Sequence, residues 1–152
     1  MQKPTRAQVL ALCAQAIEQR RQAAQAAMDA AQQAANQEEK SSAGDKYETG
    51  RAMAQNARDQ AARQLAEAHE LAATLGRLPA PAQPQADARP GTVVYTSVGV
   101  YLLGVGLGRV AAGPPAVFAL SAAAPVARLL VGCQQGQTLA LPTGPATVEA
   151  LG

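Results

Sequence analysis

Acidic side chains are concentrated in one short polar segment in the first third of the chain. Its carboxylates are those of Glu38, Glu39, Asp45 and Glu48, with Tyr47 among them and Arg51 just after. Carboxylates this close in sequence can do acid–base or metal chemistry. However, Lys40, Lys46 and Arg51 are interspersed, and such a mixture is equally typical of a solvated loop. Asp45 is also placed to cap a following helix, with Glu48 completing a capping box, so both interpretations stay open.

The other residues that could do chemistry are scattered. His69 has no partner at helical spacing, and Cys13 and Cys133 are far apart, so neither a zinc site nor a disulfide is expected. The run Gly104–Gly108 lacks the spacing and the following helix of a dinucleotide-binding loop, and we predict a hairpin or bulge there. The C-terminal half has no clustered acid, base or nucleophile, and the chain is predicted not to be an enzyme and to carry no cofactor of its own.

Composition points to a helical part with little surface to bury. Hydrophobic residues make up 48% of the sequence but aromatic residues only 3%, so alanine supplies much of the apolar content. Alanine favours helix and buries little area. The net charge of +2 is too small for a protein that binds nucleic acid by electrostatics alone. No apolar run reaches the roughly 18 residues of a membrane span, and we expect a cytoplasmic protein.

The first part of the chain, residues 1–78, is predicted to form an antiparallel α-helical hairpin, a two-helix coiled coil. Pro4 and Thr5 give a helix start, with either Thr5 as the cap or Pro4 in the first turn. Apolar residues then recur three, four or seven positions apart, which places each set on one helix face. The first set is Val9, Cys13, Ile17, Ala24, Met28, Ala31 and Ala35, and the second is Met53, Ala57, Ala61, Ala68, Leu71, Leu75 and Leu78. Ser41, Ser42, Gly44 and Gly50 interrupt the helix formers, so the chain should reverse at a tip of about residues 38–50.

The second part is predicted to be a small β-rich domain. Residues 79–90 are proline-rich and indicate a semi-rigid linker, and residues 91–152 alternate β-branched residues with glycine turns. Strands are predicted at 92–96, 98–103, 116–120, 139–141 and 146–151, with a glycine-rich segment to Val110 and a turn at 142–145. Pro125 and Gly132 delimit a short helix at 124–131. The fold class is therefore α+β.

Two strings in this sequence resemble the Gre transcription elongation factors. The first is Ala124-Pro125-Val126-Ala127-Arg128-Leu129-Leu130-Val131-Gly132 with Gly136 four positions later, and it is similar to the family's C-terminal signature. In such a segment proline starts a helix, the aliphatic residues bury its inner face, and the glycines bracket a turn. Ala124 stands where the family has serine. The second string, Ser41 to Arg51, resembles the family's hairpin tip, with Tyr47 and Arg51 at matching positions.

The resemblance implies a fold, a partner and a set of sites. The C-terminal domain would be FKBP-like, although Tyr95, Tyr101 and Phe118 do not suggest the aromatic pocket of an isomerase. The partner would be bacterial RNA polymerase. The hairpin would enter the secondary channel, and the signature residues Pro125, Val126, Arg128, Leu129, Gly132 and Gly136 would help the C-terminal domain dock at the channel's rim. The factor would be a monomer that meets nucleic acid only inside the elongation complex.

At the tip, the resemblance implies carboxylates that share a Mg²⁺ ion with the polymerase active site and stimulate cleavage of backtracked RNA, because Mg²⁺ prefers hard oxygen ligands. Asp45 and Glu48 are the candidates for this shared metal. Aligned on Tyr47, however, the family's two acidic positions fall on Lys40 and Ala43. A channel blocker that does not stimulate cleavage is therefore an alternative. A coiled-coil adaptor or self-associating protein without polymerase function is another.

Overall fold

The computed structural model describes residues 2–39 and 44–152 of this α+β protein. Two long helices come first, followed by a six-stranded mixed sheet with one short helix. The elements are α1 (Arg6–Glu39), α2 (Gly44–Arg77), β1 (Val93–Thr96), β2 (Val100–Leu103), β3 (Gly108–Ala111), β4 (Val117–Leu120), α3 (Pro125–Leu130), β5 (Thr138–Leu141) and β6 (Gly144–Leu151). No helix in the described ranges is long and apolar enough to cross a membrane.

A capping box starts α1. The backbone N–H of Thr5 donates to Gln8 Oε1 at 2.8 Å, and the backbone N–H of Gln8 donates to Thr5 Oγ1 at 3.2 Å. Each side chain thus satisfies a backbone donor that the first helical turn leaves without a partner. Of the two helix starts left open by the sequence, Thr5 as the cap is the one found.

The predicted non-helical tip of about residues 38–50 extends into both helices of the structure. Residues 36–39 lie in α1 and residues 44–50 lie in α2. Gly50 lies inside the helix because one glycine costs only about 1 kcal/mol relative to alanine, which flanking helix formers can offset. Asp45, predicted to cap α2, lies within its first turn. Residues 40–43 of the predicted tip lie outside the described residues.

By internal contacts the chain divides into two compact units. One comprises residues 17–70, and the other comprises residues 1–16 with residues 71–152. The helical residues at the start of α1 and the end of α2 thus belong to the same unit as the sheet. The sequence placed its boundaries later, at residues 78 and 90, where composition changes.

Within the helical unit, the buried residues repeat every seven positions. The buried side chains are Ile17, Ala24 and Ala31 on α1, and Ala54, Ala61 and Ala68 on α2. Most of these were predicted, but Met53 is 67% exposed and Ala57 is exposed. Ala54 is buried at the position predicted for Met53. Apolar residues spaced three or four apart fit the pattern with either residue, and the larger side chain was chosen.

The strand order of the sheet is β3-β4-β2-β1-β6-β5. Neighbouring strands are antiparallel except β2 and β4, which are parallel. All four residues of β2 are buried, which is typical of a strand covered on both faces. Of the two roles predicted for Gly104–Gly108, a hairpin or a bulge, the hairpin is wrong, because β4 lies between β2 and β3. Gly104 and Gly108 have positive φ and delimit a connection between these two strands instead.

The remaining elements of the sheet unit follow the sequence prediction closely. The second strand begins at Val100 rather than Val98, because the Thr96 hydroxyl accepts from the backbone N–H groups of Val98 and Gly99 and holds a turn there. The glycine-rich segment to Val110 becomes β3. Pro125 occupies the first turn of α3 as predicted, and Ala127 and Leu130 bury this helix in the core with Val94, Tyr101, Leu103 and Val148.

The predicted linker folds as a closed loop. The Arg6 guanidinium donates to the carbonyl oxygens of both Pro79, at 3.2 Å, and Gly91. Inside the loop, Ala88 is buried, and its backbone exchanges hydrogen bonds with Gly132 and Cys133. Proline composition correctly excluded helix here, but it could not show that Arg6, far away in sequence, brings the two ends together.

Replacing Gly91 tests this loop closure. Gly91 has φ +97°, and a Cβ there would overlap the carbonyl oxygen of Pro79. We expect Gly91→Ala to destabilise the protein by about 3 kcal/mol or more, since backbone strain and a steric clash add. Gly113→Ala is the matched control, because Gly113 also has positive φ but no atom within 4 Å of the added Cβ. It should cost about 1 kcal/mol. Urea unfolding measures both, and equal losses would contradict the closed loop.

The buried thiol of Cys13 predicts a pH dependence. Cys13 is fully buried, and burial raises its pKa from 9.0 to about 11. The unfolded thiol ionises first as pH rises, so the folded state loses stability between about pH 9 and 11. We expect the free energy of unfolding to fall less steeply over this range for Cys13→Ala than for the wild type. Both proteins keep Cys133, so parallel curves would contradict the assignment to Cys13.

Candidate functional site

The segment that resembles the Gre C-terminal signature forms α3 and the turn after it. Ala124 precedes the helix with extended backbone, at φ −64° and ψ 146°, and makes no side-chain capping bond. Pro125 then starts the helix with a fixed φ and no N–H to satisfy. The helix therefore begins without the hydroxyl cap that a serine at position 124 would supply.

Two glycines carry the chain from α3 into β5. Gly132 has φ +85° and Gly136 has φ +90°, a left-handed region that favours glycine. The N–H of Gly132 donates to the carbonyl of Ala88 at 2.8 Å, and the N–H of Gly136 donates to the carbonyl of Val148 at 2.7 Å. The predicted role of these glycines, to bracket a turn into a strand, is confirmed.

The aliphatic residues of α3 divide between the core and the surface. Ala127 and Leu130 are buried and Val126 is partly buried, whereas Leu129 is 47% exposed and Val131, just after the helix, is 42% exposed. Arg128 is exposed between them. The prediction that aliphatic residues bury the inner face of this helix holds for Ala127 and Leu130. Six residues make fewer than two turns, so the other aliphatic residues cannot all lie on that face.

The acidic tip candidates lie at the end of α1 and at the beginning of α2. Glu38 and Glu39 end α1, and Asp45 and Tyr47 lie in the first turn of α2; the side chains of residues 38–47 are outside the described part of the chain. Glu48 and Arg51, on α2, are both exposed. Within the described part, no three His, Cys, Asp or Glu side chains are grouped to hold a metal ion.

The other reactive side chains occupy structural positions. His69 is exposed on α2. Cys133 is buried, and this burial raises the pKa of its thiol, so it lacks the accessible thiolate that a nucleophile needs. Arg21 forms an ion pair with Glu18 at 2.7 Å, and its hydrogen bond holds the pKa of that carboxyl below the ordinary value.

Two of the aromatic residues pack against each other. Tyr101 and Phe118 stack with ring centroids 5.4 Å apart, and Tyr101 is part of the core. Two cavities in the sheet unit have no aromatic residue in their lining. One of about 590 Å³ lies inside the closed loop and is lined mainly by prolines and alanines, with Gln85, Asp87 and Arg89. The other, about 540 Å³, is an open groove between the start of α1 and the β3–β4 connection.

Comparison with known proteins does not assign this chain to a family. No family model matches the sequence, and no curated protein matches it significantly. Function is therefore inferred from the geometry of α3, its two glycines and the pair of long helices.

Proposed function

We propose that the chain is a cytoplasmic RNA polymerase-binding factor of the transcription elongation complex that acts through the polymerase secondary channel. The observation that carries the proposal is the combination of two long helices, separated by only four residues, with a sheet unit that contains the Pro125–Gly136 signature. A probe that enters a narrow channel needs length, stiffness and little width. A docking domain needs exposed contact residues on a rigid frame.

Helix length and the short connection support an antiparallel hairpin. In the helical unit, α1 continues from Ile17 to Glu39 and α2 runs from Gly44 to Glu70. At 1.5 Å per residue these stretches are about 35 and 40 Å long. Helices of this length joined by four residues pack as antiparallel neighbours.

Burial of the alanine repeat supports a close seam between these helices. Ala24 and Ala61 are each only 2% exposed, and an alanine side chain is too short to be covered by its own helix. Within this unit, the other helix is what remains to cover it. A seven-residue repeat places such residues along one continuous line of contact, and alanine lets the helix axes approach closely, which gives a thin probe.

In this proposal, the helical unit and the sheet unit have different roles. The acidic residues Glu38, Glu39, Asp45 and Glu48, with Tyr47 and Arg51, act near the polymerase active site, where Asp45 and Glu48 would share its Mg²⁺ ion. Arg128 and Leu129, which are exposed, contact the channel's rim, while Pro125, Val126, Gly132 and Gly136 fix the frame that presents them. A factor whose tip carboxylates do not reach the metal would occupy the channel and block other factors.

Enlarging one buried alanine tests the seam. We expect Ala61→Leu to lower the stability of the helical unit by about 1–3 kcal/mol, because a closely packed seam has no room for three more carbons. Ala57→Leu is the control, since Ala57 is exposed on the same helix and leucine is also a strong helix former. Thermal unfolding followed by far-UV circular dichroism compares the two. Equal stability of the two variants would contradict a packed alanine seam.

Transcript cleavage by stalled complexes tests the functional proposal. The wild-type chain should co-elute with bacterial core polymerase at micromolar concentration and change the rate of RNA cleavage. Replacing Glu38, Glu39, Asp45 and Glu48 together by alanine should keep binding but reduce a stimulating effect by about tenfold or more, because hard oxygen ligands hold Mg²⁺.

The matched control removes four exposed carboxylates from elsewhere on the helices: Asp29, Asp59, Glu67 and Glu70. This control should behave as the wild type. A wild-type chain that binds and slows cleavage, with no change in the tip variant, identifies a channel blocker. Absence of co-elution disproves the polymerase proposal.

A further inference from the structure

The two edge strands of the sheet differ in how they are protected. At the β3 edge, the Arg109 side chain donates to the carbonyl oxygens of Ala111, at 2.9 Å, and Gly113, at 3.3 Å. The pairing of β3 with β4 also shifts register between Arg109 and Ala111. A charged side chain and an irregular register are devices that prevent an edge from pairing with another strand.

The β5 edge has neither device. Its residues, Thr138 to Leu141, include no charge and no proline, and the pairing of β5 with β6 is regular. A two-residue connection, Pro142-Thr143, joins the strands, so Leu141 and Gly144 form the closing hydrogen-bonded pair.

Residues along an antiparallel pair of strands alternate between hydrogen-bonded and non-hydrogen-bonded positions. This alternation determines which backbone groups of β5 do not bond to β6. Leu139 pairs with Ala146 by hydrogen bonds, whereas the N–H and C=O groups of Thr138 and Ala140 point away from β6. Pro145, which has no N–H, lies opposite Ala140 and fits this pattern. Among the described residues, no other segment forms a hydrogen bond with the Thr138 or Ala140 backbone.

Exposed aliphatic side chains accompany this open edge. Helix α3 is in contact with β5, and it carries Leu129, which is 47% exposed, with Val131 just beyond it at 42%. Leu139 and Leu141 point toward the core on the face that α3 covers. A strand added beside β5 would place alternate side chains on that same face, next to α3.

One cation lies on the exposed face of α3. From Ala124 to Val148 the only charged residue is Arg128, and it is exposed on α3. No described ion pair involves its guanidinium. The nearby Asp87, whose neighbour Ala88 bonds to Gly132 and Cys133, is already paired with Arg89. An exposed arginine without a described ion pair, next to exposed aliphatic residues, is complementary to an apolar segment that carries a carboxylate.

We propose that β5 is a strand-addition site for an extended, aliphatic segment of a partner protein that carries an acidic residue. The backbone of the segment bonds to the free N–H and C=O groups of Thr138 and Ala140. Its aliphatic side chains cover Leu129 and Val131, and its carboxylate pairs with Arg128. Main-chain bonds give such a complex affinity, and the side chains give it selectivity. Arg128 and Leu129 are also the rim contacts of the polymerase proposal, so such a segment and the rim are alternative occupants of one surface. The peptide test below involves no polymerase, and its outcome is independent of that proposal.

Amide hydrogen exchange measured by NMR tests the site with a synthetic probe. The probe is a capped peptide of about ten residues that alternates valine and threonine and carries one glutamate. At saturating peptide, we expect exchange at Thr138 and Ala140 to slow by about tenfold or more, because their free N–H groups become hydrogen-bonded. A peptide with lysine in place of glutamate should bind about tenfold more weakly.

Variants of the edge separate strand addition from general adhesion. Ala140→Pro removes a donor that does not serve the β5–β6 pair, so it should weaken peptide binding by about tenfold, whereas Ala140→Thr keeps the donor and should bind normally. Arg128→Glu, at an exposed position, should reverse the preference to the lysine peptide.

Three results would overturn the inference. The first is that exchange at Thr138 and Ala140 does not change with peptide. The second is that neither Ala140→Pro nor Arg128→Glu changes the affinity for the peptide. The third is protection that grows with protein concentration when no peptide is present, since a second copy of this chain would then occupy the edge.

Discussion

The Arg6 guanidinium connects three parts of the sheet unit that are distant in sequence. It lies in the first turn of α1 and donates to carbonyl oxygens at both ends of the closed loop, Pro79 just after α2 and Gly91 just before β1. A hydrogen bond from a charged donor contributes about 1.5–3 kcal/mol to stability, and the Arg6 side chain makes two such bonds. Lys3 adds a second connection, since its ammonium contacts the carbonyl of Thr96 and the carboxylate of Glu149. The start of α1 is therefore part of the sheet unit.

The features that the sequence predicted correctly have local causes. Thr5 and Gln8 are three residues apart and form their capping box within one helical turn. Pro125, Gly132 and Gly136 each impose or permit a particular backbone conformation at their own position. The Pro142–Gly144 turn likewise follows from its composition. Such signals act over a few residues, so they can be recognised without knowing the rest of the fold.

The features that the sequence did not predict depend on distant partners. The choice between Met53 and Ala54 for the buried position depends on which face of α2 is covered, and both fit the apolar spacing. The parallel pairing of β2 with β4 arises because β3 lies outside β4, and no residue in the Gly104–Gly108 run indicates that order. In the candidate site, the turn glycines were predicted, but the periodicity of α3 did not show which of its aliphatic residues are buried, because a helix of six residues gives too short a pattern to orient its faces.

The position of β6 has a consequence for how the sheet unit folds during synthesis. This strand comes last in the sequence yet lies between β1 and β5, and Gly152 exchanges backbone hydrogen bonds with Val93. Lys3 reaches it across a sequence separation of 146 residues. On the ribosome, β1 keeps one side unpaired until β6 has been synthesised and has left the exit tunnel. Such long-range contacts make folding slow, and in that interval the unpaired edge of β1 is exposed to aggregation.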